Sequence, residues 1–216
     1  MRIACVGYRE WALDIYDALA CQTDHQFLIF RSKAQYNELA LRDFKPDLVL
    51  FYGWSWIVDS LLVRDIACLM LHPAPLPKYR GGSPLQNQII RGETESSVTL
   101  FLMDDGLDSG PIVAQAPLSL TGEISDIFSR ITDIGIQLTL SILTHELIPV
   151  PQSHEEATYF PRRKQEESEI TLDELCNKHS GYLNNKIRML QPPYPSAFIR
   201  TVDGKKLVIM RARLED

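Results

Sequence analysis

Two short polar turns carry the residue types best suited to chemistry. His72 ends one apolar run and stands directly before Pro73, and Asp108 lies in the glycine-bearing turn DDGLDSGP after another apolar run. Proline restricts the preceding residue to extended backbone, so Pro73 holds His72 at the tip of its strand. Histidine changes charge near neutral pH and can donate a proton or hydrogen bond to a developing oxyanion. Together with an aspartate that exchanges protons during the reaction, such a histidine predicts acyl transfer to an amine.

Structural roles compete with this interpretation. A lone histidine at a strand end is more often a satisfied structural residue than a catalyst. An aspartate in a turn commonly caps its own backbone, which suits Asp104 and Asp105 better than Asp108. A metal site is the weaker chemical alternative, because no spacing pairs His72 with the other histidines, His25, His145, His154 and His179.

Two further motifs have both a binding and a structural interpretation. Arg80, in KYRGG, suits bidentate binding of a substrate phosphate, and is about equally well explained as a solvated surface arginine. Trp54 and Trp56 follow an apolar run and either plug the end of the sheet or form one wall of a slot for a flat heterocycle.

The elements before these turns alternate between strand and helix patterns. Short apolar runs at 2–7, 27–30, 48–53 and 67–71 predict strands, and apolar residues at helical spacing between them predict helices. This alternation predicts a doubly wound, mostly parallel, Rossmann-like α/β sheet, in which chemistry is placed at the carboxyl ends of the strands. Gly7 is a lone glycine, so the dinucleotide-binding fingerprint is absent.

The rest of the chain predicts a smaller appended unit. Strands are expected at 97–103 and 111–120, and helices at 83–93, with Ser83 as N-cap and Pro84 at its first position, at 123–145 and at 172–190. A hairpin is expected across Asp203-Gly204. The charged segment between the last two helices suggests a boundary, giving a catalytic domain over 1–150, a linker over 151–170 and a small C-terminal α+β subdomain over 171–216.

Composition narrows the function classes. The chain has 216 residues, 45% of them hydrophobic, with a net charge of −6 and a pI near 5.4. A small-molecule substrate is therefore expected rather than a nucleic acid, whose binding needs many Lys and Arg residues. No segment has the length of a membrane span or a signal peptide, and the four unpaired-looking cysteines fit free thiols, so a cytoplasmic protein is expected.

The segments HPAPLPKYRGGSP and MDDGLDSGPIV resemble those of formyltransferases that use 10-formyltetrahydrofolate, a family that includes methionyl-tRNA formyltransferase and the sugar N-formyltransferases. The family pattern is Asn-x-His-Pro-x-x-Leu-Pro, then a glycine-bearing loop that ends in the catalytic Asp. His72 and Asp108 match the catalytic His and Asp, at the family's separation. WSWIV also resembles the loop of the folate pocket, YFPRR the linker, and RMLQPPYPSAF the start of the C-terminal subdomain.

The resemblance implies a mechanism and a set of site residues. The substrate amine would attack the formyl carbon, His72 would stabilise or protonate the oxyanion, and Asp108 would move the amine proton and orient His72. The residues implied for the folate site are Trp54, Trp56, Ile57, Val58, Asp104, Asp105, Gly106 and Leu107. Those implied for the acceptor site are Met70, Pro73, Arg80, Gly81, Gly82 and Gln86, and no metal is implied.

One position departs from the family pattern. Met70 stands where the family has its Asn, two residues before His72, and a thioether cannot donate the expected hydrogen bond to the formyl oxygen. Losing an oxyanion donor typically costs about 10²–10³ in rate. Gln86 and Asn87 are candidate replacements, as a hypothesis.

Three functions follow from the resemblance. The acidic, short chain fits best a sugar N-formyltransferase that acts on a nucleotide-linked amino deoxy sugar. The alternatives are a methionyl-tRNA formyltransferase-like enzyme, disfavoured because no strong basic C-terminal face is evident, and a catalytically impaired binding protein, suggested by Met70. The small C-terminal hairpin and exposed aromatic residues near Tyr194 and Phe198 are a candidate contact in a homodimer.

Overall fold

The computed structural model describes residues 1–145 and 148–215. Its strands are β1 Arg2–Val6, β2 Gln26–Phe30, β3 Leu48–Tyr52, β4 Cys68–His72, β5 Arg80–Gly81, β6 Glu95–Leu102, β7 Ile112–Ser119, β8 Tyr159–Phe160, β9 Ala197–Arg200 and β10 Lys206–Ile209. Its α-helices are α1 Glu10–Gln22, α2 Glu38–Asp43, α3 Ser60–Asp65, α4 Pro84–Ile89, α5 Ile124–Thr144, α6 Leu172–Asn177 and α7 Ser180–Arg188. A 3₁₀ helix spans Gln165–Ser168.

A six-stranded sheet in the order β2-β1-β3-β4-β6-β7 forms the centre of the molecule. The first four of these strands are parallel, whereas β6 and β7 run antiparallel to their neighbours. Strand β3 is buried at every position, because helices cover both faces of a parallel sheet. The predicted mostly parallel, Rossmann-like α/β fold is confirmed.

Helix α5 lies across the sheet and against α1. Its N-cap is Glu123, whose backbone N–H donates to the Asp126 carboxylate at 2.9 Å. Gly135 lets α5 pack closely on α1 and β4, because a Cβ at this position would come within 2.5 Å of Ile15 and 3.0 Å of Leu71. The sequence pattern predicted this helix to within one residue at each end.

Two predicted helix signals act differently in the structure. Ser83 precedes α4 as predicted, but its backbone is left-handed at φ 51°, and its hydroxyl accepts the backbone N–H of Arg163 instead of capping the helix. The helix predicted over 172–190 is two helices, because the His179 imidazole accepts the N–H of Tyr182 and starts α7 afresh.

The C-terminal elements pack on the same hydrophobic core as the sheet. Ile170, Ile187, Met189 and Ala197 belong to the cluster that contains the buried residues of β1, β3 and β4. The predicted Asp-Gly hairpin is present as β9 and β10. The division into a catalytic domain, a linker and a C-terminal subdomain stays a prediction.

The expectation of exposed aromatic residues at Tyr194 and Phe198 was wrong. Phe198 is only 4% exposed, because it lies on β9 against the core, and Tyr194 is half-buried. The homodimer itself stays a prediction. Within residues 1–145 and 148–215, no helix is both long enough and apolar enough to cross a membrane.

Candidate active site

His72 and Asp108 meet in a cleft of about 1100 Å³. The His72 Nδ1 lies 3.7 Å from the Asp108 Oδ2, and the two side chains are 6% and 11% exposed. The distance exceeds that of a direct hydrogen bond and suits an ion pair or a bridging group. The predicted juxtaposition of these two residues is present.

His72 and Asp108 are not brought together, as was expected, by the carboxyl ends of two strands at the same edge of the sheet. Strand β6 is antiparallel to β4, so its end lies beside the start of β4, where the N–H of Met103 donates to the Cys68 carbonyl at 2.8 Å. The loop over 103–111 therefore begins at the opposite edge from His72. Asp108 reaches His72 only because this loop folds back along the strand.

The Tyr79 carbonyl fixes the tautomer of His72. It lies 2.8 Å from His72 Nε2, and since a carbonyl only accepts, Nε2 must carry the proton. The nitrogen that faces Asp108 is thus Nδ1, which is free to accept a proton when the ring is neutral. Tyr79 is itself left-handed, at φ 61°, and its ring stacks on Phe160 at 4.9 Å. Burial and a hydrogen bond to Glu93 raise the pKa of Tyr79 to about 12.

Asp108 is held from two sides. Its backbone is left-handed at φ 49°, an uncommon state for a residue with a side chain. The N–H of Gly81 donates to Oδ2 at 2.7 Å, and Gln152 Nε2 donates to the Asp108 carbonyl at 3.0 Å. A left-handed residue secured in this way at a cleft is typical of a functional site.

Arg80 does not face the cleft. Its side chain is fully buried, and its guanidinium donates to Gln152 Oε1 and to the Tyr159 hydroxyl. The interpretation of Arg80 as a phosphate ligand was therefore wrong, because the pairing of β5 with β8 turns this side chain into the interior. Gly81 and Gly82, next in sequence, do line the cleft.

Met70 lines the cleft on the same face of β4 as His72, since residues two apart on a strand point the same way. Of the candidate replacement donors, Asn87 is occupied: its amide donates to the carbonyls of Gly82 and Pro161. Gln86 faces the cleft, where its side chain hydrogen-bonds Tyr194.

Aromatic rings form one wall of the cleft. The rings of Trp54 and Trp56 lie 4.6 Å apart, and Tyr8 contacts Trp56 at 4.9 Å. Trp54 packs on the core, Trp56 is 37% exposed, and both line the cleft. Their role as a wall for a flat heterocycle stays a prediction. Ile57 and Val58 continue this wall.

The loop at 104–107 also lines the cleft. Asp104 accepts the N–H of Gly106 and the Ser109 hydroxyl, so it caps its own turn. Asp105 accepts from Arg64 Nε at 3.1 Å and ties the loop to α3. Gly106, Leu107 and Pro73 also line the cleft.

Two arginines line the cleft without a carboxylate partner. Among the residues that the structure describes, neither Arg9 nor Arg162 forms an ion pair. The Arg9 guanidinium lies 5.2 Å from the centre of the Tyr194 ring. Burial raises the pKa of the Tyr194 phenol, and the Gln86 hydrogen bond and the charges of Arg9 and Arg162 act in the opposite direction. Both cations therefore lie near Tyr194, and we call these three residues the cationic rim.

The sequence patterns missed the rim, Tyr79 and Gln152. YFPRR contains two adjacent arginines, and this was the one signal that pointed to Arg162. Nothing marked Gln152, which stands in a polar connector. In the described part of the chain, no group of three or more His, Cys, Asp or Glu residues could hold a metal ion.

Comparison with known proteins identifies the family of this chain. Residues 17–138 match the model of the formyl transferase family. The methionyl-tRNA formyltransferase of Carboxydothermus hydrogenoformans is 31% identical over 178 residues, which are 79% of this chain and 56% of that protein. The chain thus spans little more than half the length of this curated relative.

Solved structures share the fold. A methionyl-tRNA formyltransferase from Clostridium thermocellum superimposes with a TM-score of 0.86 at 29% identity, over 97% of both chains. HypX from Aquifex aeolicus in complex with tetrahydrofolic acid gives 0.80 at 20%, over 98% of this chain and 37% of that one. A sugar N-formyltransferase from Shewanella sp. gives 0.78 at 19%, over 100% and 99%. The last two show a common fold alone. Because the family model covers more than half of the chain, this protein belongs to the formyl transferase family.

Proposed function

We propose that the chain transfers a formyl group from 10-formyltetrahydrofolate to a primary amine of a phosphate-bearing acceptor, a nucleotide-linked amino sugar. The observation that carries the proposal is the pair of His72 and Asp108 in one cleft, with His72 Nε2 tied to the Tyr79 carbonyl and Nδ1 facing the carboxylate. This arrangement presents a base and a hydrogen-bonding imidazole to the same space, which amine acylation requires.

The cleft fits a folate as formyl donor. Its volume is at or above the roughly 300–1,000 Å³ of a site for one small ligand, so two substrates have room. Trp54 and Trp56 offer aromatic surface to a flat pterin, and the 104–107 loop lines the same cleft. The fold shared with HypX, which was solved with tetrahydrofolic acid, agrees with this assignment.

The proposed reaction needs one proton to leave the amine. The amine nitrogen attacks the formyl carbon and forms the new C–N bond, and Asp108 accepts the amine proton. With a second proton on Nδ1, His72 donates a hydrogen bond to the negatively charged formyl oxygen. The bond from the formyl carbon to the folate nitrogen breaks as that nitrogen takes from Asp108 the proton that the amine released. The products are the formamide and tetrahydrofolate. Because Tyr79 fixes the ring, His72 needs no reorientation.

Charge favours a phosphorylated acceptor. Arg9 and Arg162 place two unpaired cations at the cleft of a chain whose net charge is −6. Guanidinium groups are well matched to phosphate oxygens. Two arginines gathered beside Tyr194 in an acidic protein suit a diphosphate better than the long backbone of a nucleic acid.

A methionyl-tRNA acceptor is the second candidate. It is favoured by the curated relatives at about 30% identity, which are methionyl-tRNA formyltransferases. The same cleft residues would then receive the methionyl amine and a terminal phosphate of the tRNA.

Tetrahydrofolate release tests the proposal. The protein is supplied with 10-formyltetrahydrofolate and either a panel of nucleotide-linked amino sugars or methionyl-tRNA. We expect release with at least one amino sugar at a kcat/KM at least tenfold above that with methionyl-tRNA. The reverse ratio would favour methionyl-tRNA over the amino sugar as the acceptor substrate. Folate binding without release for any acceptor would favour an impaired binding protein, as Met70 suggested.

A further inference from the structure

Arg80 is a buried cation that the proposed reaction does not use. Its side chain is 0% exposed, and no carboxylate among residues 1–145 and 148–215 pairs with it. Burying an unpaired guanidinium is costly, so its contacts must be specific. They are two neutral groups: Gln152 Oε1, at 3.1 Å from Nε and 2.7 Å from Nη2, and the Tyr159 hydroxyl, at 2.7 Å from Nη1.

The guanidinium decides which way the Gln152 amide points. Arginine has only donors, so Gln152 must face Arg80 with its oxygen. The NH₂ group is thereby directed to the other side, where it donates to the carbonyls of Asp108 at 3.0 Å and Gly110 at 2.7 Å. Both carbonyls only accept, so the opposite orientation of the amide would lose all of these hydrogen bonds.

The same short strand also holds the Asp108 carboxylate. Gly81, directly after Arg80, donates its N–H to Oδ2 at 2.7 Å. The left-handed Asp108 is thus fixed at its carbonyl by Gln152 and at its carboxylate by Gly81. Asp108 owes its place opposite His72 to these contacts.

We infer that Gln152, oriented by the buried Arg80, is a positioning residue that holds Asp108 in register with His72. The inference rests on the proposed function for its kinetic consequence, although the geometry is independent of the acceptor. Gln152 touches no reacting group: it acts through the backbone of the 108–110 turn.

The substitution Gln152→Glu separates positioning from simple packing. A glutamate keeps the volume and gives Arg80 a carboxylate partner, so a merely structural role would be preserved or improved. It removes both N–H donors and sets an oxygen against the carbonyls of Asp108 and Gly110. We expect kcat to fall at least tenfold while the KM for folate stays within threefold, since small misplacement of a catalytic group lowers the rate strongly.

A matched variant controls for the added charge. Gln35 is exposed, and Gln35→Glu should leave kcat and KM unchanged. If Gln152→Glu does not fold, the double variant Arg80→Met/Gln152→Met replaces the polar pair by apolar side chains of similar volume, which buried pairs often tolerate. The same loss of kcat is expected from it.

The Gly81 amide gives a readout that needs no activity. Its proton, bonded to the Asp108 carboxylate, should move upfield in the NMR spectrum of the variant that folds. An unchanged Gly81 resonance together with a kcat within twofold of the wild-type value would overturn the inference. A wild-type protein that transfers no formyl group would refute the proposed function, and the Gly81 resonance would still decide the role of Gln152.

Discussion

At the scale of single residues, the site is a histidine and an aspartate whose orientations are set by backbone groups. Tyr79 fixes the His72 ring and Gly81 fixes the Asp108 carboxylate. The proline and glycine pattern around His72 and Asp108 was enough to predict both residues. The contacts that orient them were not predictable, because Gln152 and Tyr79 act through main-chain carbonyls that carry no sequence signal.

Met70 is the residue that most directly limits the expected rate. The Asn87 side-chain amide already donates hydrogen bonds to two carbonyls. It could replace the missing oxyanion donor only by breaking these hydrogen bonds. We expect Met70→Asn to raise kcat by about 10-fold or more, toward the 10²–10³ that an oxyanion donor is typically worth. Steady-state kinetics measure this, with Met70→Leu as an apolar control that should change kcat less than threefold. An unchanged kcat in Met70→Asn would mean that Gln86 or another group already serves as donor.

At the scale of elements, the long parallel strands could be predicted from the sequence and the short strands could not. The apolar runs predicted β1 to β4 because buried parallel strands need continuous hydrophobicity. Strands β5 and β8 have two residues each, too few for any periodicity, yet their pairing buries Arg80. This is why Arg80, in the turn-like KYRGG, was wrongly expected at the cleft.

Gly81 allows β5 and β8 to pair. Its φ is 95°, and a Cβ there would come within 2.4 Å of the Phe160 carbonyl. Gly81→Ala should lower the free energy of unfolding by about 2 kcal/mol or more, from backbone strain and the displaced carbonyl together. Gly92 is the matched control, with φ 86° and open space around it, so Gly92→Ala should cost only the backbone strain of about 1 kcal/mol. Urea unfolding of both variants measures the difference, and equal losses would contradict the role of the close contact.

Glu174 and Lys186 join the two C-terminal helices. Lys186 is buried and donates to both carboxylate oxygens at 2.7 Å. Burial tends to raise the pKa of Glu174, but hydrogen bonds from Lys186, Thr171 and Tyr182 outweigh it and leave that pKa below its usual 4.5. The pair therefore stabilises the folded state above pH 4.5, and this stability is lost as the pH falls through the lowered folded pKa.

Glu174→Gln should therefore cost about 3 kcal/mol at pH 7, because it leaves the buried Lys186 uncompensated. Thermal unfolding between pH 7 and pH 3 would show the wild-type protein losing more stability with acid than the variant does. Parallel curves for the two proteins would argue against the ion pair.

At the scale of the whole molecule, an acidic chain keeps a small basic region at its cleft. Composition gives the net charge of −6, but it does not show where the charges lie. It could not show that Arg9 and Arg162 gather beside Tyr194. These residues come from three distant segments, and only the folded sheet brings them together. The C-terminal elements matter here, since the segment before β9 supplies Tyr194.

The cationic rim should govern acceptor affinity rather than chemistry. We expect Arg162→Gln to raise the KM for a nucleotide-linked amino sugar about 10-fold, with kcat within threefold, because a charge-assisted hydrogen bond contributes about 1.5–3 kcal/mol. Arg211 is exposed and lies outside the cleft, so Arg211→Gln is the charge-matched control and should leave KM unchanged. Equal KM changes in both variants would indicate only a general charge effect.

In the proposed function, His72 and Asp108 carry out formyl transfer within this cleft. The most direct measurement is a single-turnover reaction with 10-[¹³C]formyltetrahydrofolate and an amino-sugar acceptor, in which mass spectrometry follows the label in the product formamide. The wild-type protein should move the label to the amine, and His72→Ala and Asp108→Asn should each slow this step at least about 10²-fold while still binding folate. Label transfer at the wild-type rate in either variant would contradict a catalytic role for the substituted residue.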